Sequence, residues 1–261
     1  MKRIVSYALA TLLALSAPLL ANPYADKAQA RLLQGWAEPD GQRIAALEIT
    51  LAPGWHTYWR APGDAGIPPS FDWHGSRNLA RVTPEWPRPE IYRSNDMRSI
   101  IYTERLLLPL RITPQAAHRP IHLKGRLEIG VCKDICVPLQ LDLAATFLPK
   151  QRGAVTQIKR ARETVPTRSN GLRCQTEAGA RGIIVALSGP VAPLGGREEA
   201  AVETGDPLIW ATEPELIRKG PVLTVRTELV HALGGAFALN RSALRLTLIG
   251  ERHALDIQGC D

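Results

Sequence analysis

The chain has 261 residues, of which 45% are hydrophobic and 22% are charged, and its formal net charge is +7. These fractions are typical of folded proteins and exclude the disordered and fibrous classes. The basic residues are spread thinly rather than clustered as a nucleic-acid surface requires, so we expect no nucleic-acid partner. The 21 Pro and 21 Gly, against 3 Phe and 2 Met, favour short strands and many turns over a helical bundle.

The first element along the chain is predicted to be a secretory signal peptide over residues 1–25. Two basic residues precede an apolar stretch that ends at Leu20, and cleavage is expected after Ala21 or Ala25. A charged start, an apolar centre and a small-residue exit are typical of export signals. We therefore expect an exported, soluble protein, located in the periplasm of a Gram-negative-type cell, where cysteine pairs persist as disulfides.

Strand-length runs of alternating or β-branched residues recur between turn signals in two parts of the chain, 26–148 and 171–261. The polar segment 149–170 between them has little apolar periodicity and is predicted to be a linker. The expected fold is all-β, with two immunoglobulin-like antiparallel β-sandwich domains in tandem. The predicted strands include 44–51, 56–59, 106–112, 121–129 and 139–147 in the first part, and 182–187, 208–211, 222–230, 243–249 and 253–257 in the second.

Four cysteines carry the functional argument: Cys132, Cys136, Cys174 and Cys260. An even number of cysteines in an exported chain implies two disulfides, and four cysteines allow three pairings. Residues four apart in an extended strand lie roughly 13 Å apart, whereas a disulfide needs Cα atoms within about 7 Å. Cys132 and Cys136 can therefore pair only if the segment between them bends into a tight loop.

Ring size separates the two candidate pairs. In the chain-entropy model, the short ring from Cys132 to Cys136 stabilises by roughly 2 kcal/mol and the long ring from Cys174 to Cys260 by roughly 4.6 kcal/mol. The long ring is predicted to be a structural disulfide, and the short ring is predicted to be the labile, redox-active one. A structural turn clip is an alternative for the short ring, and so is a Cu(I) or Zn site completed by His56.

Five motifs around these cysteines stand in a fixed order. They are GWHTYWRAPGDAG at 54–66, PSFDW at 69–73, EWP at 85–87, LPL at 108–110 and VCKDIC at 131–136. In order and spacing they resemble the N-terminal periplasmic part of DsbD-type thiol:disulfide interchange proteins, especially the ScsB-like branch. The resemblance is dense from about 30 to 148 and weaker, though collinear, to the end of the sequence.

The resemblance implies an immunoglobulin-like sandwich whose cysteine pair alternates between dithiol and disulfide, as in a protein-disulfide reductase. Cys136 would form the mixed disulfide with partners, and Cys132 would resolve it. The implied partners are a membrane-embedded thiol reductase or thioredoxin-like module as electron donor, and periplasmic thiol-disulfide proteins as acceptors. Such exchange needs neither cofactor nor metal, because the two sulfurs carry both electrons.

The same resemblance implies a cap loop with an aromatic residue that shields the cysteine pair. The matching region is 87–98, in which Ile91, Tyr92 and Met97 are the candidate cap residues. Tyr58 aligns with an aromatic residue that is expected near the cysteines. The site residues predicted by the resemblance thus extend well beyond the cysteine motif.

Family members of the fused type continue into a multi-helix membrane domain and a thioredoxin-like domain. The sequence to residue 261 contains neither. We therefore expect either a module served by a separately encoded membrane reductase or a protein whose redox role has drifted. The rival functions are a non-catalytic periplasmic binding module with two structural disulfides, and a Cu(I) or Zn carrier that uses the same cysteines.

Overall fold

The structure is a computed structural model that describes residues 23–150 and 152–261. The signal peptide predicted for 1–25 lies outside the described residues as far as residue 22. Across the described ranges, no helix is long and apolar enough to cross a membrane. The described chain consists mainly of strands and folds into two tandem β-sandwiches, which confirms the predicted all-β fold class.

The first sandwich consists of two antiparallel sheets. Its strands are β1 (Ala28–Ala37), β2 (Arg43–Leu51), β3 (His56–Gly63), β4 (Ser70–Asp72), β5 (Leu79–Pro84), β6 (Glu90–Ser94), β7 (Met97–Thr103), β8 (Arg105–Pro114), β9 (Ile121–Cys132) and β10 (Cys136–Phe147). One sheet has the order β1-β2-β8-β5, and the other has the order β10-β9-β3-β7-β6, with β4 paired to β9. The strand β3 therefore lies between β9 and β7, and β6 is an edge strand.

The core of the first sandwich lies between these two sheets. Alternate residues of β2 and β8 point inward, so that Leu47, Leu108 and Leu110 are fully buried. Trp59 on β3 is fully buried in the same core, whereas the other four tryptophans between 36 and 86 are half-buried. Burying each of these large apolar side chains contributes about 1.5–3 kcal/mol to stability.

The second sandwich also consists of two sheets. Its strands are β11 (Thr167–Ser169), β12 (Arg173–Ala178), β13 (Ile183–Pro190), β14 (Glu199–Glu203), β15 (Ile209–Ala211), β16 (Glu215–Lys219), β17 (Val222–His231), β18 (Arg245–Ile249) and β19 (Ala254–Gln258), with a 3-10 helix at Arg241–Ala243. The sheet orders are β11-β19-β18-β14 and β12-β13-β17-β15, with β16 paired to β17. The pair of β11 and β19 is parallel, and the other neighbouring strands of these two sheets are antiparallel.

The segment 149–170, predicted to be a linker, contains regular structure. Helix α1 (Val155–Glu163) packs on the first sandwich through Ile158, which is fully buried against Ile44. The strand β11 in the same segment pairs with β19 of the second sandwich. The apolar periodicity of the helix is weak because Ile158 is its one buried residue.

Polar contacts join the two sandwiches along β14. Arg60 on β3 donates to both carboxylate oxygens of Glu203 at 2.8–3.1 Å and to the hydroxyl of Thr247 at 3.0 Å. Arg98 on β7 donates to the backbone carbonyl of Ala200 at 2.6 Å. The second sandwich is therefore attached to the sheet of the first sandwich that contains β3 and β7.

Candidate functional site

A disulfide joins Cys132, the last residue of β9, to Cys136, the first residue of β10. The two residues face each other in the antiparallel register, with their Cα atoms 4.2 Å apart. The turn of residues 133–135 gives the bend that the pairing requires. The pair therefore lies at the tip of a hairpin. The antiparallel pairing of its two strands, β9 and β10, continues as far as Phe147.

The two cysteines differ in their access to solvent. Cys132 is 1% exposed and packs against Tyr58 and Ile101, whereas Cys136 is an exposed residue. A large partner can reach Cys136 directly, but its approach to Cys132 is blocked by protein atoms. In a thiol–disulfide exchange this asymmetry favours Cys136 as the residue that bonds to a partner.

The hydroxyl of Tyr58 lies between the two sulfurs. Its oxygen is 2.8 Å from the Sγ of Cys132 and 3.2 Å from the Sγ of Cys136. Disulfide sulfurs carry no proton, so the Tyr58 hydroxyl is the donor in both contacts. Burial raises the pKa of Tyr58, so the phenol keeps its proton at neutral pH and can also donate to a thiolate.

Two glycines leave room for the ring of Tyr58. Gly66 has a φ of 143°, and a Cβ at this position would lie 2.4 Å from the ring. A Cβ at Gly130 would lie 2.7 Å from Ile67 and 3.2 Å from the Tyr58 ring. The 2.4 and 2.7 Å distances are too short for ordinary packing, so a side chain at either position would displace its neighbours, and the glycines leave space for the Tyr58 ring beside the sulfurs.

His56 lies opposite Cys132 in the register of β3 and β9. Its ring packs between two tyrosines, with its centroid 5.6 Å from that of Tyr58 and 5.4 Å from that of Tyr92. Burial lowers the pKa of His56, which favours the neutral imidazole. Among the residues that the structure describes, no group of three or more His, Cys, Asp or Glu is placed to hold a metal ion.

The three candidate cap residues have different surroundings. Tyr92 on β6 is 45% exposed and contacts His56, so it belongs to the aromatic group beside the cysteines. Ile91 packs against the core of the sandwich, and Met97 is exposed at the start of β7. The sequence predicts a role for His56 only as an alternative metal ligand. Its period-two spacing from Tyr58 on one strand was the signal that both rings share a face.

The second disulfide has a different architecture. It joins Cys174 on β12 to Cys260, which follows β19, and the Cα atoms are 5.5 Å apart. The two strands belong to opposite sheets, and the residues are 86 positions apart in the sequence. The residues after β19 lie beside β12, because the N–H of Cys174 donates to the carbonyl of Asp261 at 2.8 Å and the N–H of Asp261 donates to the carbonyl of Leu172 at 3.1 Å. This bond therefore ties the last residues of the chain to β12 of the second sandwich.

The fold and the site together define a class: a β-sandwich domain that carries a disulfide-bonded cysteine pair at the tip of a hairpin. The family described as thiol:disulfide interchange protein DsbD, N-terminal, matches residues 27–148. This match confirms the resemblance of this part of the chain to a DsbD-type N-terminal domain. A comparison with curated proteins gave no match.

Solved structures extend the likeness in fold to the second sandwich. The N-terminal periplasmic domain of ScsB from Proteus mirabilis is 20% identical, with a TM-score of 0.68 over 92% of this chain and 95% of that chain. The reduced N-terminal domain of DsbD from Neisseria meningitidis is 12% identical, covers 49% of this chain and 95% of its own, and has a TM-score of 0.28. The first of these shares the overall fold of the chain.

Proposed function

We propose that the protein is a periplasmic thiol:disulfide exchange protein that reduces protein disulfides through Cys132 and Cys136. The observation that carries the proposal is the asymmetry of the pair, in which an exposed Cys136 is bonded to a buried Cys132 beneath a tyrosine hydroxyl. The match of residues 27–148 to the DsbD N-terminal family supports the same chemistry. Exchange of this kind needs no further group, because the sulfurs themselves carry the electrons.

The reaction begins from the dithiol form. The Cys136 thiolate attacks one sulfur of a partner disulfide, forms a mixed disulfide and releases the other partner sulfur as a thiolate, which takes up a proton. Cys132 then loses its proton and attacks the Sγ of Cys136, which releases the second partner thiolate. The partner gains two electrons and two protons, and the protein is left with the Cys132–Cys136 disulfide.

Regeneration of the dithiol requires a reductant. We assign this role to a membrane-embedded thiol reductase or its thioredoxin-like module, and the acceptor role to periplasmic thiol-disulfide proteins. The predicted signal peptide at 1–25 supports this location, and the related ScsB domain is itself described as periplasmic. On this proposal, 26–148 is the redox domain, 149–170 connects the domains, and 171–261 is a second immunoglobulin-like sandwich.

The test is the reduction potential of the Cys132/Cys136 pair, measured in a Cys174→Ser/Cys260→Ser variant so that a single pair reports. We expect a value between about −180 and −270 mV, which is the range of exchange proteins. A value below about −300 mV would mark a structural clip and replace the exchange function with a binding module. If the variant does not fold, the same titration on the wild type, with the two pairs distinguished by alkylation and peptide mapping, decides the question.

A further inference from the structure

A cavity of about 430 Å³ lies between the two sandwiches. Ligand pockets of proteins typically have volumes of about 300–1,000 Å³ and are common at domain interfaces. Both domains line this cavity, the first through residues 60–64, 68, 98 and 100 and the second through residues 201–207 and 209–214. Exchange at the sulfurs of the cysteine pair does not use the cavity, so its chemistry indicates a second site.

The charges that line the cavity are unequal. Two arginines and four acidic residues line it, although the chain as a whole has a net charge of +7. Arg60 donates to both carboxylate oxygens of Glu203, and the Nε of Arg98 lies 3.4 Å from a carboxylate oxygen of Glu199. Each of the two arginines is therefore already paired with a carboxylate of the protein.

Two of the lining carboxylates have capacity for a further donor. Glu213 is bound by Arg93 at 2.6 Å, but Asp64 and Asp206 are exposed and each accepts one backbone N–H, at 2.8 and 2.9 Å. Within the described ranges, the second oxygen of these two carboxylates accepts no hydrogen bond from the protein. Asp64 and Asp206 can therefore bind a cation that enters the cavity.

The walls of the cavity are apolar and aromatic. Ile100 and Ile209 are buried and line it from the two domains, together with four prolines. Trp210 also lines it and is 44% exposed. The guanidinium of Arg181, which lies outside the lining residues, is 5.5 Å from the centre of the Trp210 ring, so this ring already attracts one cation. A ligand that fits these walls has an alkyl part as well as a positive charge.

An arginine side chain combines these properties. Its methylene groups pack along apolar surfaces, its planar guanidinium stacks on aromatic rings, and its N–H groups bind carboxylates. Exposed leucines adjoin the cavity: the carbonyl of Leu208 accepts the N–H of Ala232, and the next residue, Leu233, is 82% exposed. Exposed apolar side chains around an aromatic residue are typical of surfaces that bind other proteins.

The strand β3 connects the cavity to the cysteine pair. Tyr58, whose hydroxyl contacts both sulfurs, and Pro62, which lines the cavity, are four positions apart on this strand. At about 3.3 Å per residue, their Cα atoms are no more than about 13 Å apart. A polypeptide bound in the cavity can therefore reach the cysteine pair with a few residues of extended chain.

We propose that the cavity binds an arginine side chain of a partner polypeptide, with its guanidinium held by Asp64 and Asp206 and stacked on Trp210. The partner is then anchored at two places, in the cavity and at Cys136. This inference rests on the proposed function only in taking the bound polypeptide to be an exchange partner. Binding in the cavity needs no electron transfer, so it is measured separately from exchange.

The first experiment is an NMR titration of the oxidised full chain with the peptide acetyl-Ala-Arg-Ala-amide. The matched ligand carries citrulline, which has nearly the shape of arginine but no charge. We expect the arginine peptide to bind with a Kd of about 1 mM or below, at least about ten-fold more tightly than the citrulline peptide. The indole N–H signal of Trp210, assigned from its loss in Trp210→Phe, should shift. Equal affinities, or an unmoved indole signal, would overturn the proposal.

Variants locate the bound guanidinium. Asp64→Asn and Asp206→Asn keep an oxygen for the backbone N–H but remove the charge, and each should weaken binding of the arginine peptide by about three-fold to five-fold. Trp210→Ala should weaken it by about five-fold. The matched control is Asp142→Asn, an equal charge change at an exposed position of β10 outside the cavity, which should bind as the wild type does.

An equal loss of affinity in the control and the cavity variants would show a general effect of charge and refute the site. Asp206→Asn and Trp210→Ala change exposed residues, so they decide the question even if Asp64→Asn does not fold.

The second experiment tests whether the bound polypeptide is an exchange partner. The reduced full chain is mixed with disulfide-bonded peptides that carry either arginine or citrulline about four residues from the cysteine. Two-point attachment should make reduction of the arginine peptide about five-fold faster, and Trp210→Ala should remove the difference. Equal rates would overturn the role of the cavity in exchange. Reduction of neither peptide would instead contradict the proposed function, while the titration still decides whether the cavity binds arginine.

Discussion

The two disulfides of this protein have similar Cα separations, 4.2 and 5.5 Å, but very different places in the fold. Cys132 and Cys136 are four positions apart and join two strands that a continuous backbone ladder already pairs. Cys174 and Cys260 are 86 positions apart, and their bond ties the segment after β19 to β12 of the second sandwich. When the first bond is reduced, the strands on either side of it stay paired through their backbone hydrogen bonds. The second bond, in contrast, closes a ring that includes most of the second sandwich.

The surroundings of the two bonds follow the same division. The hydroxyl of Tyr58 contacts both sulfurs of the first bond, and His56 lies opposite Cys132 on the neighbouring strand. Cys174, in contrast, packs in the apolar core of its domain with Cys260 against it. The first bond, which we propose to be the redox-active one, therefore combines a polar donor, one accessible sulfur and a hairpin whose backbone pairing does not depend on the bond. Four predictions test this difference.

The largest effect is expected for Cys136→Ser, which removes the exposed sulfur. The rate of reduction of a partner disulfide should fall by about a thousand-fold or more, since no other group can form the mixed disulfide. Cys132→Ser should instead accumulate the mixed disulfide with the partner, visible on a non-reducing gel. Turnover by Cys136→Ser at the wild-type rate would remove the distinction between the two cysteines.

The second prediction concerns stability. Cys174→Ser/Cys260→Ser should lower the free energy of unfolding of the second sandwich by about 4 kcal/mol in a urea titration, because the ring that it opens is long. Cys132→Ser/Cys136→Ser should lower the stability of the first sandwich by no more than about 2 kcal/mol. A larger loss of stability in Cys132→Ser/Cys136→Ser than in Cys174→Ser/Cys260→Ser would reverse the assignment of the structural disulfide.

A smaller effect is expected for Tyr58→Phe, which keeps the ring but removes the donor. The Tyr58 hydroxyl donates to the thiolate and so stabilises the charged form of the cysteine. Loss of this hydrogen bond of about 1 kcal/mol should raise the pKa of the thiol in the reduced protein by about 0.7. The thiolate absorbance, followed as a function of pH, measures this change. An unchanged titration would mean that the hydroxyl contacts the disulfide but does not stabilise the thiolate.

The smallest predicted effect is on the pH dependence of stability. Burial lowers the pKa of His56 below its ordinary value of 6.5, so unfolding takes up a proton once the pH falls below that value. The contribution of the neutral His56 to the free energy of unfolding is fully present above pH 6.5. This contribution is lost as the pH falls through the pKa that His56 has in the folded protein. His56→Phe should therefore lose less stability than the wild type on acidification in urea titrations, and an equal loss in both proteins would contradict this role.

Local patterns in the sequence predicted much of the fold. Alternating residues in 44–51 and 106–112 correspond to β2 and β8, and the short spacing of Cys132 and Cys136 requires the hairpin turn that the structure contains. The helix in 149–170 was not visible, because a single buried Ile158 gives too little apolar periodicity to signal it. Local signals are strong where many residues share one face and weak where one residue anchors an element.

Alternation and spacing are local properties, so the amino-acid sequence was enough to predict an all-β chain with a short and a long cysteine ring. The packing of His56 between Tyr58 and Tyr92 beside the short ring depends on the tertiary structure. Tyr92 reaches the site because β3 lies between β9 and β7, so that His56 is placed opposite Cys132 and within contact of β6. The bond of Arg93 to Glu199 spans 106 positions and two domains, and such a contact depends on how folded surfaces meet, which no local pattern encodes.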